Sequence, residues 1–378
     1  MPIDFQASAG SSLGVEWELQ LVDPGTRALS RGATELLAAI APEGGGEHPK
    51  AKHELLQSTV EVITGVCTSV EEATADLAGT VAEVVAAARD RGLEVACSGT
   101  HPLSHWSTQE ISPLPRYAKL VDDMQWLARR LTVFGVHVHV GVRSADKAVA
   151  IVNALTAYLP HFLALSSSSP YWNGSDTGLA SARSKVFEGL PTAGLPYQLE
   201  DWAAFEDYMQ LLLDTGTIAS VKEVWWDVRP HPDFGTVELR ICDGTPTLWE
   251  IGMVAAVAQC LVDVFDREID KGYVLPTPKA WVVRENKWRA GRRGLDADVI
   301  LESGAVVPLR SAVVELAHEL LPTAQRLGCV DELSRVHEVA ARGASAQRQR
   351  AVAAAHGGAL EPVVDALLAE FAAGRPSW

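Results

Sequence analysis

Residues 14–19 read Gly-Val-Glu-Trp-Glu-Leu, and this stretch contains the pattern that decides the fold. Side chains alternate between the two faces of a β-strand, so Glu16 and Glu18 would point to one face about 6.5–7 Å apart. The apolar residues beside them would fill the opposite face. The stretch therefore predicts a strand, within residues 13–22, with one face in the core and two carboxylates on the other.

Three later segments place charged side chains on one face of a predicted strand in the same way. They are Val60-Glu61-Val62, Val136-His137-Val138-His139-Val140 and Thr236-Val237-Glu238-Leu239-Arg240-Ile241. Glu54 precedes Glu61 by seven residues, at the entrance of that strand. A sheet face that is merely solvated would also tolerate these residues. Such a face would more often carry Thr, Lys, Ser and Gln, so the choice of Glu, His and Arg favours a functional surface.

The chemistry of these groups points to a hard divalent cation. Clustered carboxylates repel one another unless a cation lies between them. Oxygen ligands with one imidazole favour Mg²⁺ or Mn²⁺, whereas zinc prefers Cys and His. The two histidines could form a zinc pair, but the sequence offers no third soft ligand at motif spacing. Metal ions on such a face, with Arg240 on the same strand, would suit phosphoryl transfer from ATP.

The order of predicted elements indicates an α+β fold with a largely antiparallel sheet. The strands come from about the first 245 residues, and the pattern is helical after Pro278. Strands and helices do not alternate regularly, and neither GxGxxG nor GxxxxGK[ST] occurs, which argues against a Rossmann sheet or a P-loop. We expect one catalytic domain over residues 1–378, with a sheet-bearing core at 1–280 and a helical part at 281–378.

Four local predictions can be compared directly with a structure. The predicted elements are a helix over 117–131, a loop-like segment over 166–198, and strands over 221–228 and 236–242.

Composition excludes several classes of protein. The 378 residues carry 48 acidic against 32 basic side chains, a net charge of −16. Residues 281–378 hold 12 of each sign, so the whole surplus lies before them. So acidic a chain makes nucleic acid and anionic membranes poor partners. The N-terminal residues show no basic and apolar leader, and the apolar stretch 251–265 is too short to span a bilayer, so we expect a cytoplasmic location.

Four further features of the sequence are less specific, and three of them have two open interpretations. The five cysteines are widely separated and are interpreted as buried thiols. The basic run from Arg284 to Arg293 could face ATP or could be a solvated helix face. Asp227 and Arg229 could form an ion pair or belong to the site. The Ala-rich tail could be helical support or the surface of a homo-oligomer.

Five ordered motifs together resemble carboxylate-amine ligases of the type 2 glutamate-cysteine ligase family. They are GVEWEL, ELLQSTVEVITGVC from Glu54 to Cys67, GVHVHVG from Gly135 to Gly141, SARSKVFEGLPTAGLP from Ser181 to Pro196, and WWDVRPHPDFGTVELRICDGTPTL from Trp225 to Leu248. A further stretch, ENKWRAGRRGLDADVI from Glu285 to Ile300, continues the match. The resemblance covers roughly residues 10–300.

The resemblance implies a glutamine synthetase-like fold in which glutamates bind Mg²⁺ ions around ATP. It implies that ATP phosphorylates a carboxylate, usually that of glutamate or a similar acid, and that cysteine or another amine attacks the acyl phosphate. Matching positions for metal ligands are Glu16, Glu18, Glu54, Glu61, His137 and Glu238. Glu238 and Arg240 would be catalytic, with Arg240 stabilising phosphate, and Arg183 would bind the substrate carboxylate. Asn286 and Arg289 match a motif whose role would be contact with the nucleotide cofactor or with the substrate.

Two alternatives to a ligase stay open at the level of sequence. One is a small-molecule kinase of the guanidino type on the same fold, and the other is a catalytically degenerate nucleotide- or metal-binding protein. The intact set of carboxylates and Arg240 argues against degeneration, since drift would be expected to lose at least one of them.

Overall fold

A computed structural model describes residues 3–378, and its main feature is a seven-stranded antiparallel sheet. The strands are β1 (Leu13–Val22), β2 (Ala51–His53), β3 (Thr59–Ile63), β4 (Glu94–Ala96), β5 (Val136–Gly141), β6 (Tyr171–Trp172), β7 (Ser175–Asp176), β8 (Val228–His231), β9 (Thr236–Leu239), β10 (Asp298–Ile300) and β11 (Val306–Pro308). The sheet has the order β2-β3-β1-β5-β9-β8, and β4 pairs with the last residues of β1. The other four strands form two hairpins.

β1 is the central strand, and it has the bounds that its alternating sequence predicts. Val15, Trp17 and Leu19 are at most 1% exposed, whereas Glu16 and Glu18 are only half-buried on the opposite face. The predicted division into a core face and a carboxylate face is therefore confirmed.

Helices cover the core face of the sheet and make up most of the chain after residue 240. They are α1 (Ala33–Ala39), α2 (Val70–Arg89), α3 (Pro115–Met124), α4 (Trp126–Arg129), α5 (Ala145–Leu155), α6 (Leu159–Ser166), α7 (Ala182–Phe187), α8 (Trp202–Asp214), α9 (Leu248–Asp270), α10 (Ala280–Arg293), α11 (Leu309–Leu327), α12 (Val330–Arg342), α13 (Ser345–Ala355) and α14 (Glu361–Ala373). One apolar cluster runs from Leu13 to Ala344 and joins the sheet to the C-terminal helices. The division into a core and a helical part of one domain stays a prediction.

Two helical segments are apolar and long enough to cross a membrane by length and composition alone. They are Ala145–Ser166 and Leu248–Asp270, and 72% and 83% of their respective apolar windows are buried inside the protein. α9 in the second segment packs against the sheet, and 16 of its 23 residues are buried. Buried core helices of globular proteins pass the same test, so both segments are explained by the core.

The structure corrects three of the sequence predictions for local structure. The segment 221–228 is a turn of 3₁₀ helix at Val221–Glu223, and the strand begins only at Val228. The helix predicted over 117–131 is broken at Gln125, whose φ of 49° lies in the left-handed region. The loop-like segment 166–198 contains α7 and the β6–β7 hairpin.

Two further differences concern the ends of elements. The region after residue 280 is not helical throughout, because it includes the β10–β11 hairpin. The strand predicted over 236–242 ends at Leu239, so Arg240 lies just beyond it.

Candidate active site

The strand register brings the predicted carboxylates and imidazoles together around β1. Glu16 lies directly opposite His137 on β5, and Glu18 lies directly opposite Glu61 on β3. The Nδ1 atom of His137 is 2.9 Å from Glu16 Oε2. Side-chain pairs that are 43 and 121 positions apart in the sequence therefore share one patch of the sheet.

Two overlapping groups of ligand atoms on this face could each hold a metal ion. Glu16, His137 and Glu238 form one group, and Glu18, Glu61 and His137 form the other. Within each group the atoms lie within 4.8 Å of one another. His137 belongs to both, so the two groups are adjacent.

A cavity of about 230 Å³ opens over this patch. Its lining includes seven of the predicted site residues, together with Thr59: Glu16, Glu18, Glu54, Glu61, His137, Arg183 and Arg240. Leucine side chains with Val133, Phe187, Tyr117 and Trp225 form the remaining, largely apolar wall. The cavity thus joins a highly charged floor to an apolar side.

Three of the carboxylates in the cavity lack a compensating charge. Burial, followed by repulsion from Glu54, raises the pKa of Glu18 to about 8, although Arg183 and Arg240 act in the opposite direction. Burial likewise raises the pKa of Glu61 well above its usual range, and it raises the pKa of Glu54. Within residues 3–378 neither lysine nor arginine forms an ion pair with these three carboxylates.

Glu238 lies at the other side of the patch in the opposite electrostatic situation. Its side chain is buried between Arg229 of β8, whose Nε donates a hydrogen bond of 2.7 Å, and Arg240, which pairs with the second oxygen. Burial alone would raise the pKa of Glu238, but the two guanidinium groups hold it well below its usual range. Arg229 therefore pairs with Glu238 and not with Asp227.

His139 is the second imidazole of the predicted strand face, and it also contacts Glu16. Its Nε2 atom lies 3.2 Å from Glu16 Oε1, and the residue opposite it on β9 is Glu238. Burial would lower the pKa of His139, but Glu238 and Glu16 outweigh burial and leave the pKa raised. Burial would raise the pKa of Glu16, and hydrogen bonds from His137 and His139 lower it instead.

Arg183 reaches the cavity from the start of α7. Ser181 caps this helix by accepting a hydrogen bond from the amide of Ser184. The guanidinium group of Arg183 donates to the backbone carbonyls of Arg240 at 3.3 Å and Ile241 at 3.4 Å. It also lies against Gly135, where an added Cβ would be 2.3 Å from Arg183 Nη2.

The structure does not bring Asn286 and Arg289 into the carboxylate cavity. The amide of Asn286 exchanges two hydrogen bonds of 2.8 Å with the backbone of Ile300. Arg289 pairs with Glu285 at 2.8 Å and lines two other cavities along α10. The nucleotide-binding role of these two residues stays a prediction without geometric support.

A second cavity, of about 490 Å³, lies on the far side of Glu16. Its lining is mostly apolar and includes the exposed side chains of Val66 and Phe234. Phe234 stacks on His231 with a centroid distance of 4.2 Å and an angle of 7°. Glu16 lines both cavities, so the carboxylate cluster forms part of the wall between them.

The donor set fits Mg²⁺ or Mn²⁺ better than a softer ion. Carboxylate oxygens dominate, one or two imidazoles contribute, and the five cysteines are buried and absent from the linings of both cavities. Buried carboxylates without a cation would have to bind protons, as the raised pKa values of Glu18 and Glu61 indicate. A divalent cation would supply the missing positive charge.

Comparison with known proteins assigns the chain to a family. The family model of Glutamate-cysteine ligase family 2 (GCS2) matches residues 12–366. A protein of Frankia casuarinae named "Putative glutamate--cysteine ligase 2-1" is 60% identical over 100% of this chain and 99% of its own length. A Thermobifida fusca protein named "Putative glutamate--cysteine ligase 2" is 56% identical over 100% of this chain and 95% of its own.

Solved structures with low sequence identity share the fold. A glutamate-cysteine ligase of Francisella tularensis, crystallised with AMP, has a TM-score of 0.70 at 12% identity and covers 99% of this chain and 90% of its own. A bifunctional glutathione synthetase of Pasteurella multocida has a TM-score of 0.68 at 15% identity, over 96% of this chain and 52% of its own. The expected α+β, glutamine synthetase-like fold is confirmed. The chain belongs to glutamate-cysteine ligase family 2 and is an ATP-dependent ligase that forms an amide bond.

Proposed function

We propose that the enzyme activates the γ-carboxylate of glutamate, or of a similar acid, with ATP and joins it to the amine of an amino acid such as cysteine. The observation that carries this proposal is the convergence of four carboxylates, His137 and two arginines in one cavity. With divalent cations on its carboxylates, such a floor would suit a reaction between anions, because the cations and the two arginines would offset the negative charges of the acid and the nucleotide.

The reaction needs activation because a carboxylate is a poor acyl donor. A carboxylate oxygen attacks the γ-phosphorus of ATP and ADP leaves, which converts the carboxylate into an acyl phosphate. The amine nitrogen then attacks the acyl carbon, and the bond between that carbon and the phosphate oxygen breaks. Phosphate leaves with this oxygen and the bonding electron pair, and the nitrogen loses a proton as the amide forms. No nucleophilic side chain is required, and the enzyme acts mainly by placing the reactants and stabilising charge.

The two cavity arginines would act on different anions. Arg183 would bind a carboxylate of the acid, since a guanidinium group matches a carboxylate with two parallel hydrogen bonds. Its Nε atom is buried and has no hydrogen-bond partner within the described residues, so it has a donor free for a ligand. Arg240 would stabilise the charge on the phosphoryl group, because it lies beside the cluster and lines the same cavity.

Glu16, Glu18, Glu61, His137 and Glu238 would hold divalent cations, as the two groups of ligand atoms support. Glu54 lies in neither group, and as a lining residue of the same cavity it would contribute a further carboxylate oxygen. When bound, these cations would neutralise the phosphates of ATP. The protein side chains fix where that charge lies, because β1, β3, β5 and β9 are held in register by the sheet.

The nucleotide would enter from the second cavity, and the acid and amine from the first. An apolar cavity beside Phe234 suits a flat base, which can stack on an exposed ring. Because Glu16 lines both cavities, the phosphates would then lie at the carboxylate cluster. The apolar wall of the first cavity would receive the side chain of the amine substrate.

The test is ADP release by the purified protein with Mg²⁺, combined with mass detection of the product. We expect turnover only when ATP, an acid and an amine are all present, and a product that equals acid plus amine minus water. ATP turnover that is indifferent to every amino acid would contradict the proposal. A stable phosphorylated product without amide would favour a kinase instead.

A further inference from the structure

Lys287 of α10 is a buried cation outside the carboxylate cavity. Its side chain is 3% exposed, and its Nζ atom lies 2.5 Å from Asp227 Oδ2 and also pairs with Glu188. Among the described residues Asp227 has no other lysine or arginine in an ion pair, while Glu188 also pairs with Lys185. Lys287, one residue of the basic run from Arg284 to Arg293, is therefore buried between two carboxylates and does not face solvent.

One of these two carboxylates follows the helix that carries Arg183, and the other belongs to a residue whose backbone binds the backbone of Arg240. Glu188 directly follows α7, the helix that holds Arg183. Asp227 directly precedes β8, and its carbonyl oxygen accepts hydrogen bonds from the amides of Arg240 at 2.8 Å and Ile241 at 3.0 Å. Lys287 therefore links the backbone around Arg240 to the end of the helix that carries Arg183.

Arg183 contacts the same backbone segment that Asp227 binds. Its guanidinium group donates to the carbonyls of Arg240 and Ile241, the same two residues whose amides are held by Asp227. The chain of contacts then runs from Lys287 through Glu188 and α7 to Arg183, and back through Asp227 to Lys287. Because Arg183 and the backbone of Arg240 are connected by two routes, their separation is fixed more firmly than by either route alone.

We propose that Lys287 is a positioning residue that sets the distance between Arg183 and Arg240 through Glu188 and Asp227. The inference rests on the proposed function, because that function assigns the acid to Arg183 and the phosphoryl group to Arg240. Loss of the ammonium group leaves Asp227 as a buried carboxylate without an ion-pair partner among the described residues, beside the half-buried Glu188, which keeps only Lys185, and the two carboxylates then repel each other. Both arginine-bearing segments then lose their common anchor.

The test compares Lys287→Met with Arg348→Met as a matched control. Arg348 is also a buried cation between two carboxylates, Glu250 and Glu370, and none of these three residues lines either of the two cavities that meet at Glu16. Both variants should lose thermal stability. Only Lys287→Met should raise KM for the acid and lower kcat, with a combined loss of about 100-fold in kcat/KM, because a small misplacement of reacting groups is that costly.

A double variant, Lys287→Met with Asp227→Asn, separates positioning from folding. The amide removes the unpaired charge, so stability should return towards that of the parent protein while the kinetic defect persists. Lys287→Arg keeps the charge and should recover part of the activity. Parent-like kinetic constants in Lys287→Met, or an equal kinetic defect in Arg348→Met, would overturn the proposal.

A crystal structure of the double variant gives a result that does not depend on activity. We expect the guanidinium group of Arg183 to leave the carbonyls of Arg240 and Ile241. Retention of both hydrogen bonds would overturn the positioning role even if the parent protein showed no ligase activity. Absence of turnover in the parent protein, by contrast, would count against the proposed function and not against this contact.

Discussion

The two halves of the carboxylate cluster contain the same residue type in opposite electrostatic environments. On β1, β3 and the turn after β2, three glutamates have raised pKa values and no ion-pair partner within residues 3–378. On β9, Glu238 lies between Arg229 and Arg240 and has a strongly lowered pKa. The first half lacks positive charge, and the second half already has it.

This difference indicates a division of labour within the site. Half-buried carboxylates without a compensating charge must bind either protons or cations, and in the working enzyme divalent cations would supply the positive charge. Glu238 has a full set of protein partners, so it would hold Arg240 in place as well as contribute an oxygen to a metal ion. Substitutions in the two halves should separate these two roles.

Glu18→Gln should abolish turnover, with kcat reduced by about 1,000-fold or more and the fold retained, because a site that organises transition-state charge loses a ligand. The measurement is ADP release, with circular dichroism to monitor the fold. Glu110→Gln serves as the control, since Glu110 is exposed and pairs only with Arg31. Near-parental activity of Glu18→Gln would contradict the metal assignment.

Arg240→Met should mainly lower kcat and Arg229→Met should mainly lower stability, although both arginines bind Glu238. Arg240 lines the cavity and Arg229 does not, so we expect Arg240→Met to lower kcat by about 100-fold. Arg229→Met should mainly destabilise the protein, by about 3 kcal/mol of unfolding free energy, because it removes one partner from a buried ion pair. Denaturant unfolding and initial rates on both variants measure the two effects. If Arg229→Met lowered kcat more than Arg240→Met did, the ion pair between Arg229 and Glu238 would not have a mainly structural role.

Gly135→Ala should weaken binding of the acid with little change in the affinity for ATP. The new methyl group would fall on the guanidinium group of Arg183, which must then move away. We expect KM for the acid to rise about 10-fold, the scale of one hydrogen-bonded contact to a charged group. Rates measured against both substrates separate the two constants. An unchanged KM for the acid would remove Arg183 from the acid-binding site.

The stability of the metal-free protein should fall as pH rises from about 5 to 8. Glu18 has a pKa of about 8 in the folded state against 4.5 in the unfolded state, so the folded protein binds more protons in this interval. The stabilisation is complete below the unfolded pKa and is lost as pH passes the folded one. Mg²⁺ should therefore raise the melting temperature more at pH 8 than at pH 6, where it competes with protons. Melting curves with Mg²⁺ and with EDTA at both values measure this, and an equal shift at the two would contradict it.

The sequence was sufficient to predict the carboxylate face, because side-chain alternation in a strand depends only on local order. Glu16, Glu18, Glu61 and His137 could be placed on one surface in this way. The partners across strands could not be predicted, since register depends on turns and packing that the local pattern does not encode. The pairing of Arg229 with Glu238 is such a case.

Contacts between residues that are far apart in the chain could not be predicted from the sequence either. Lys287 and Asp227 are 60 positions apart, and the basic run around Lys287 looked like a solvated or nucleotide-facing helix. Burial decides between these roles, and burial follows from how α10 packs on α6 and on the segment before β8. The position of Lys287 between its two carboxylate partners follows from this packing, and the local sequence does not encode it.

Calorimetric titration of Mn²⁺ into the parent protein and into a Glu18→Gln, Glu61→Gln double variant would show whether these carboxylates bind metal. If the uncompensated half of the cluster is the cation site, the parent protein binds Mn²⁺ and the double variant loses at least one bound ion while its fold persists. Equal binding by the two proteins, or no binding by the parent, would contradict the claim that these carboxylates are placed for metal.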